Sequence, residues 1–265
     1  MRLLILNPNT SAAVTTRLLG HAQAHLASRA LVRPVTLLAT TAQLGASYIA
    51  SEASYAIAGH AALDAWARFA RSGGQADALL LGCFGDPGVA ALREVTGLPV
   101  IGLAEAALRQ AVRHGRVAVV TGGLAWVPML QRLARSLGLG QVLVGVHAVA
   151  PSGAELAANP AAGLALLAQA CRSAARGADA LILGGAGLAG LAGPLAGALA
   201  AQPGGALGLP LIDSSSAGLD WLLDEPWDDL RQAPAPGSPP AWSGLQPALQ
   251  QTLGQAGTAG RIGSP

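Results

Sequence analysis

The residues best suited to chemistry lie in two nearly identical runs. Residues 76–85 read ADALLLGCFG, and residues 178–187 read ADALILGGAG. Cys83 in the first copy stands where the second copy has Gly185. A thiol can act as a nucleophile or as a proton carrier, and an ordinary one is only ~3% ionised at pH 7. Gly82 and Gly85 permit tight turns beside it. Asp86 is a good N-cap and Pro87 a good first helical residue, so the sequence predicts Cys83 just before a helix start. Backbone N–H groups and the helix dipole there would favour the thiolate. Cys171, within LLAQACRSAARG, lies mid-helix with no glycine turn and reads as a packing residue.

The elements that must position Cys83 alternate along the chain. RLLILN (2–7) reads as a strand ending in the turn NPNTS, followed by a helix through residue 27. VRPVTLLAT (32–40), ADALLLG and LPVIGL (98–103) read as further strands. Residues 51–74 read as a helix with Ser51 as N-cap. The pattern then restarts. RVAVVTGG (116–123) answers RLLILNPN, VLVGVHAV (142–149) follows, ADALILG answers ADALLLG, and GLPLIDSSSAGL (208–219) answers GLPVIGLAEAAL (97–108). Three landmarks repeated in order indicate an internal duplication. Continuous apolar strands between helices predict an α/β fold of two pseudo-symmetric lobes, each a parallel sheet flanked by helices. The expected division is 1–97 plus 208–225 for the first lobe and 98–207 for the second. Residues 226–265 form a Pro/Gly-rich tail, with Trp227 and Trp242 able to pin it. Ligands bind beyond the carboxyl ends of parallel strands, so the turns after matching strands should converge on one cleft.

Composition narrows the classes. Charged residues make up 11% of the 265, the net charge is +2, and no Lys/Arg stripe forms, which argues against nucleic-acid binding. The uncharged stretch 180–212 is long enough to span a bilayer, but its Pro and Gly divide it into strand, loop and helix, so no membrane span is expected. Two cysteines make no disulfide framework, no signal peptide is read at the start, and a cytoplasmic location is expected. The five histidines show no metal-ligand spacing beyond His21 and His25, four apart on what reads as a solvated helix face. GGAGLAG lacks the acidic partner a nucleotide site needs. Ser214–Ser216 read as helix-capping residues. High apolar content favours a homo-oligomer.

LNPNTS, LGCFGDPG and LPVIGLAEAA resemble the aspartate/glutamate racemase superfamily, most closely its hydantoin and allantoin racemase branch. The resemblance covers roughly residues 1–222. It implies two α/β lobes with the active site between them and two cysteines on opposite faces of a small substrate, a cyclic amide or amino-acid derivative. One cysteine removes the α-proton and the other returns one, with no metal, pyridoxal phosphate or nucleotide. By that resemblance Cys83 is the first catalytic cysteine and Asn7 a substrate contact. Thr10, Phe84, Gly85, Thr121, Gly122, Gly185 and Ala186 complete the expected substrate site. Asn7 and the N–H groups of the Cys83 and Gly185 loops would stabilise an oxyanion. Gly185 departs from the pattern, because glycine offers neither acid nor base. The open face then falls to water, Thr121 or Ser214. Single-cysteine decarboxylation, isomerisation, or ligand binding without catalysis stand as alternatives.

Overall fold

The computed structural model describes residues 1–224 and 242–256. Strands β1 (Arg2–Asn7), β2 (Thr36–Thr41), β3 (Ala78–Leu81) and β4 (Val100–Gly102) form one parallel sheet in the order β2-β1-β3-β4. Strands β5 (Val117–Gly122), β6 (Leu143–Val149), β7 (Ala180–Gly184) and β8 (Leu211–Asp213) form a second, in the matching order β6-β5-β7-β8. Central strands β1, β3, β5 and β7 are buried over almost every residue, because helices cover both faces of each sheet. The duplication read from the sequence is therefore a duplication of topology.

The helices of the first unit are α1 (Ala12–Ala27), α2 (Glu52–Arg71), α3 (Val89–Thr96) and α4 (Leu103–Ala111). Those that follow are α5 (Trp126–Ser136), α6 (Gly153–Ala158), α7 (Pro160–Ala174), α8 (Ala192–Ala200) and α9 (Ser214–Asp224), then α10 (Pro247–Ala256). Ser51 caps α2 as expected: its hydroxyl accepts the Ser54 N–H at 3.2 Å, and Ser54 closes a reciprocal box.

At the expected lobe boundaries the sheets keep their own strands. β4 pairs with β3 (Leu79 beside Val100) in the first sheet. β8 pairs with β7 (Leu181 beside Leu211) in the second. Each crossing occurs at a strand end. α4 leaves the first sheet and packs on β7, while α9 leaves the second sheet and packs on β3 and β4. α4 and α9 pack on each other, and a continuous apolar core including Leu80, Ile101, Ile182 and Ile212 runs from one lobe to the other.

Two further expectations are corrected. His21 and His25 do not face solvent. His21 Nε2 lies 3.0 Å from Ser216 Oγ, and His25 Nε2 lies 2.7 Å from Asp220 Oδ1, both across the α1–α9 contact. The expected tail is structured in part: α10 packs on α2 and α3 and buries Leu249. Trp242 is partly exposed, and Trp227 lies outside the described residues. The uncharged stretch 180–212 folds as β7, a 3₁₀ turn, α8 and most of β8, and no helix among the described residues is long and apolar enough to cross a membrane.

Candidate active site

Turns following β1, β3, β5 and β7 converge on a cleft between the lobes that encloses about 620 Å³, counted to its open mouth. Cys83, from the first lobe, and Gly185, from the second, both line it. Glycines let the lobes interdigitate there. The Phe84 ring lies over Gly184, where a Cβ would sit 2.2 Å from the ring. In return, Trp126 of the second lobe lies against Gly85, where a Cβ would sit 2.4 Å from the indole. Tyr55 fixes the same turn by donating to the Gly85 carbonyl at 2.8 Å.

Cys83 is 5% exposed. Its N–H donates to Leu81 O at 2.9 Å, and its carbonyl accepts the N–H groups of Gly85 and Asp86, which curls the turn tightly. The expected helix start is not at Asp86. α3 begins at Val89 behind a left-handed Gly88, and Asp86 itself holds a left-handed φ of 57°. The Asp86 carboxylate instead accepts the N–H groups of Ala104 (3.0 Å) and Glu105 (2.6 Å), capping α4. Gly102 makes this possible, since a Cβ there would lie 2.1 Å from the carboxyl carbon.

This placement reverses the expected acidity of the thiol. Burial pushes Cys83 up, and the Asp86 charge adds to the effect. Among the described residues no charged side chain lines the cleft to counter it. Asp86 is itself pushed up to about 7 by burial, against the pull of the N–H groups it accepts. The resting sulfur is a thiol. Cys171 is buried in the second lobe's outer core, as expected, and burial pushes it up to about 12.

Of the other expected site residues, Phe84, Thr121, Gly122, Gly185 and Ala186 line the cleft. Asn7, Thr10 and Gly85 do not. Asn7 is fully buried, with Nδ2 2.9 Å from Asn9 Oδ1 and 3.0 Å from both Ser11 O and Thr15 Oγ1. It shapes the NPNTS turn, and it is Asn9 and Ser11 that reach the cleft. Thr10 donates its N–H to Ala46 O, and Gly85 is covered by Trp126. Thr121 Oγ1 donates to Gly184 O at 2.7 Å, so its proton is already engaged. Ser214 is buried behind the cleft, where its hydroxyl accepts the Gly185 N–H at 3.4 Å. The N–H groups of Cys83 and Gly185 are thus taken. Among the described residues those of Phe84, Ala186 and Gly187 enter no hydrogen bond within the fold.

Tyr48, Ile49 and Trp126 also line the cleft, and sequence reading did not single them out. Tyr48 and Ile49 come from the irregular segment after β2, which carries no motif. Trp126 opens a helix that periodicity did not reveal. Among the described residues no group of three His, Cys, Asp or Glu is placed to hold a metal ion.

Residues 3–221 match the Asp/Glu/hydantoin racemase family. The chain is 29% identical over 222 residues to the hydantoin racemase of Pseudomonas sp. (strain NS671), covering 83% of each protein. It superposes on allantoin racemase from Klebsiella pneumoniae with a TM-score of 0.73 at 28% identity, over 84% of this chain and 86% of that one. Allantoin racemase from Pseudomonas fluorescens gives 0.72 at 25% identity, over 84% and 91%. The two-lobed fold, its interlobe cleft and the sequence match agree: this chain belongs to the Asp/Glu/hydantoin racemase family.

Proposed function

We propose that the protein is a cofactor-independent racemase of a small neutral cyclic amide, with Cys83 as an acid/base. The observation that carries this reading is a thiol set in an interlobe cleft whose wall, among the described residues, bears no charged side chain. A free amino acid with an acidic side chain would bring carboxylates into that wall without a cation to pair them, which burial makes costly. A neutral ring with a C–H beside a carbonyl makes no such demand. The unengaged N–H groups of Phe84, Ala186 and Gly187, residues that line the cleft, would receive the charge that develops on the carbonyl oxygen. Val14, Ile49, Trp126 and Leu188 offer an apolar wall to the ring substituent. The similarity to hydantoin and allantoin racemases supports the same substrate class. We place the enzyme in the cytoplasm, where its two free thiols stay reduced.

Chiral chromatography of single enantiomers tests the reading. The protein is expected to racemise 5-benzylhydantoin or allantoin and to leave aspartate and glutamate unchanged. Turnover of the free amino acids, or turnover that survives in Cys83→Ala, contradicts it. The protonated state of Cys83 favours one second reading, in which the thiol only delivers a proton to a carbanion made by decarboxylation. Release of carbon dioxide from an arylmalonate, with no exchange on either cyclic amide, would establish that reading instead.

A further inference from the structure

Two-sided proton transfer needs a second acid, and Gly185 supplies none. The following inference rests on Cys83 being the first. The side-chain hydroxyls around the cleft belong to Ser11, Ser47, Tyr48 and Thr121. Thr121 gives its proton to Gly184 O. The serines are aliphatic alcohols, far weaker acids than a phenol, whose ordinary pKa is ~10.

Tyr48 belongs to the first lobe, yet its hydroxyl crosses to the second. It donates to Gly122 O at 3.3 Å, at the long end of the hydrogen-bond range, so the proton is weakly held. Gly123, at φ +91°, makes room for it: a Cβ there would lie 2.5 Å from the phenol oxygen. Gly122 ends β5, the strand paired with β7, and β7 leads directly into Gly185. Cys83 leaves β3 of the other sheet. The phenol therefore sits on the wall of the lobe that lacks the second cysteine, and the sulfur belongs to the facing lobe.

We propose that Tyr48 is the second catalytic acid/base of the site, acting from the Gly185 side against Cys83. In one direction the Cys83 thiol first yields its proton to water, and the thiolate so formed takes the α-proton: the C–H bond breaks, an S–H bond forms, and the electron pair passes into the adjacent carbonyl. The Tyr48 O–H then gives its proton to the opposite face of the carbon, leaving a phenolate. The resulting pair, Cys83 thiol and Tyr48 phenolate, is the form that processes the other enantiomer. Proton exchange with water restores the first form. Burial pushes the phenol up, which holds the proton on oxygen until the carbanion forms.

Tyr48→Phe in the full chain, with each enantiomer of 5-benzylhydantoin in turn in deuterium oxide, separates this role from a structural one. Loss of the ring C–H signal reports proton removal, and chiral chromatography reports inversion. The variant is expected to keep exchanging the ring proton of one enantiomer, with retention, while exchange of the other and inversion of both fall ~10²–10⁴-fold. Tyr48→His, which returns a titratable donor, is expected to recover part of the inversion. Equal losses of exchange on both enantiomers in both variants, or unchanged inversion in Tyr48→Phe, would overturn the Tyr48 assignment and leave Cys83 standing. Absence of exchange in the wild type with both this probe and allantoin would overturn the racemase reading and this inference together.

Discussion

The two lobes share strand order and crossing helices, but they tie the turns that line the cleft down in different ways. In the first lobe the carboxylate that caps the crossing helix comes from the turn itself: Asp86, three residues after Cys83, holds the start of α4. β4 ends in Gly102 to admit it. In the second lobe the carboxylate comes from the strand. Asp213 ends β8, accepts the N–H groups of Ser215 (2.9 Å) and Ser216 (3.2 Å) to cap α9, and with its other oxygen accepts the Gly190 N–H at 2.9 Å. One carboxylate joins turn to helix in both lobes, so the scaffold is symmetric where it is structural. Chemistry departs from that symmetry at Cys83 and Gly185. Gly185 holds φ +143°, a conformation side chains rarely adopt, although a Cβ there would only touch Leu188 at ordinary distance. The second turn holds a backbone suited to glycine.

Substitutions at these positions rank the comparison. The largest structural effect is expected for Gly102→Ala. Its methyl would displace Asp86 and strand two N–H groups of α4, costing roughly 2–6 kcal/mol at 1–3 per buried unpaired donor. Urea unfolding measures it, and a neutral result would show that the cap is dispensable. Gly185→Ala should lose about 1–3 kcal/mol from backbone strain alone, and Gly185→Cys the same. Returning the sulfur should therefore lower thermal stability, and an unchanged melting temperature would show that the turn adapts freely. Asp213→Ala, which removes a cap without adding bulk, should cost about 0.5–2 kcal/mol.

A pH dependence is expected as well. Asp86 is pushed up to about 7, so the folded protein holds its proton more tightly than the unfolded chain, where an aspartate titrates near ~3.9. Its contribution to stability is full below the unfolded value and is lost as pH rises to about 7. Asp86→Asn lacks this titration, so the stability of wild type relative to the variant should fall across that window. A flat difference would place Asp86 in a solvated setting.

Much of this architecture was legible in the chain. Continuous apolar runs such as LLILN and ALLLG announce strands buried on both faces, and their ordered repetition announces two lobes. The turn holding Cys83 was legible because glycines flank a lone thiol after a strand. What remained hidden depends on partners distant in sequence. Asp86 caps a helix that starts seventeen positions later, not the one beside it. His21 and His25 find their partners 195 residues away on α9. Asn7 resembled a ligand contact because its turn reaches the cleft, but the neighbours it organises are the ones that arrive there. Tyr48 sits in an irregular segment whose position only the packed lobes define.

Deuterium exchange at the ring carbon of each hydantoin enantiomer in turn, followed by proton NMR for the wild type and Cys83→Ala, tests the central claim most directly. With the wild type the ring C–H signal of both is expected to vanish rapidly, and without the sulfur the rate for the enantiomer that faces it is expected to fall ~10²–10⁴-fold, approaching the uncatalysed one. Exchange of both enantiomers that continues undiminished without residue 83's thiol would contradict the assignment.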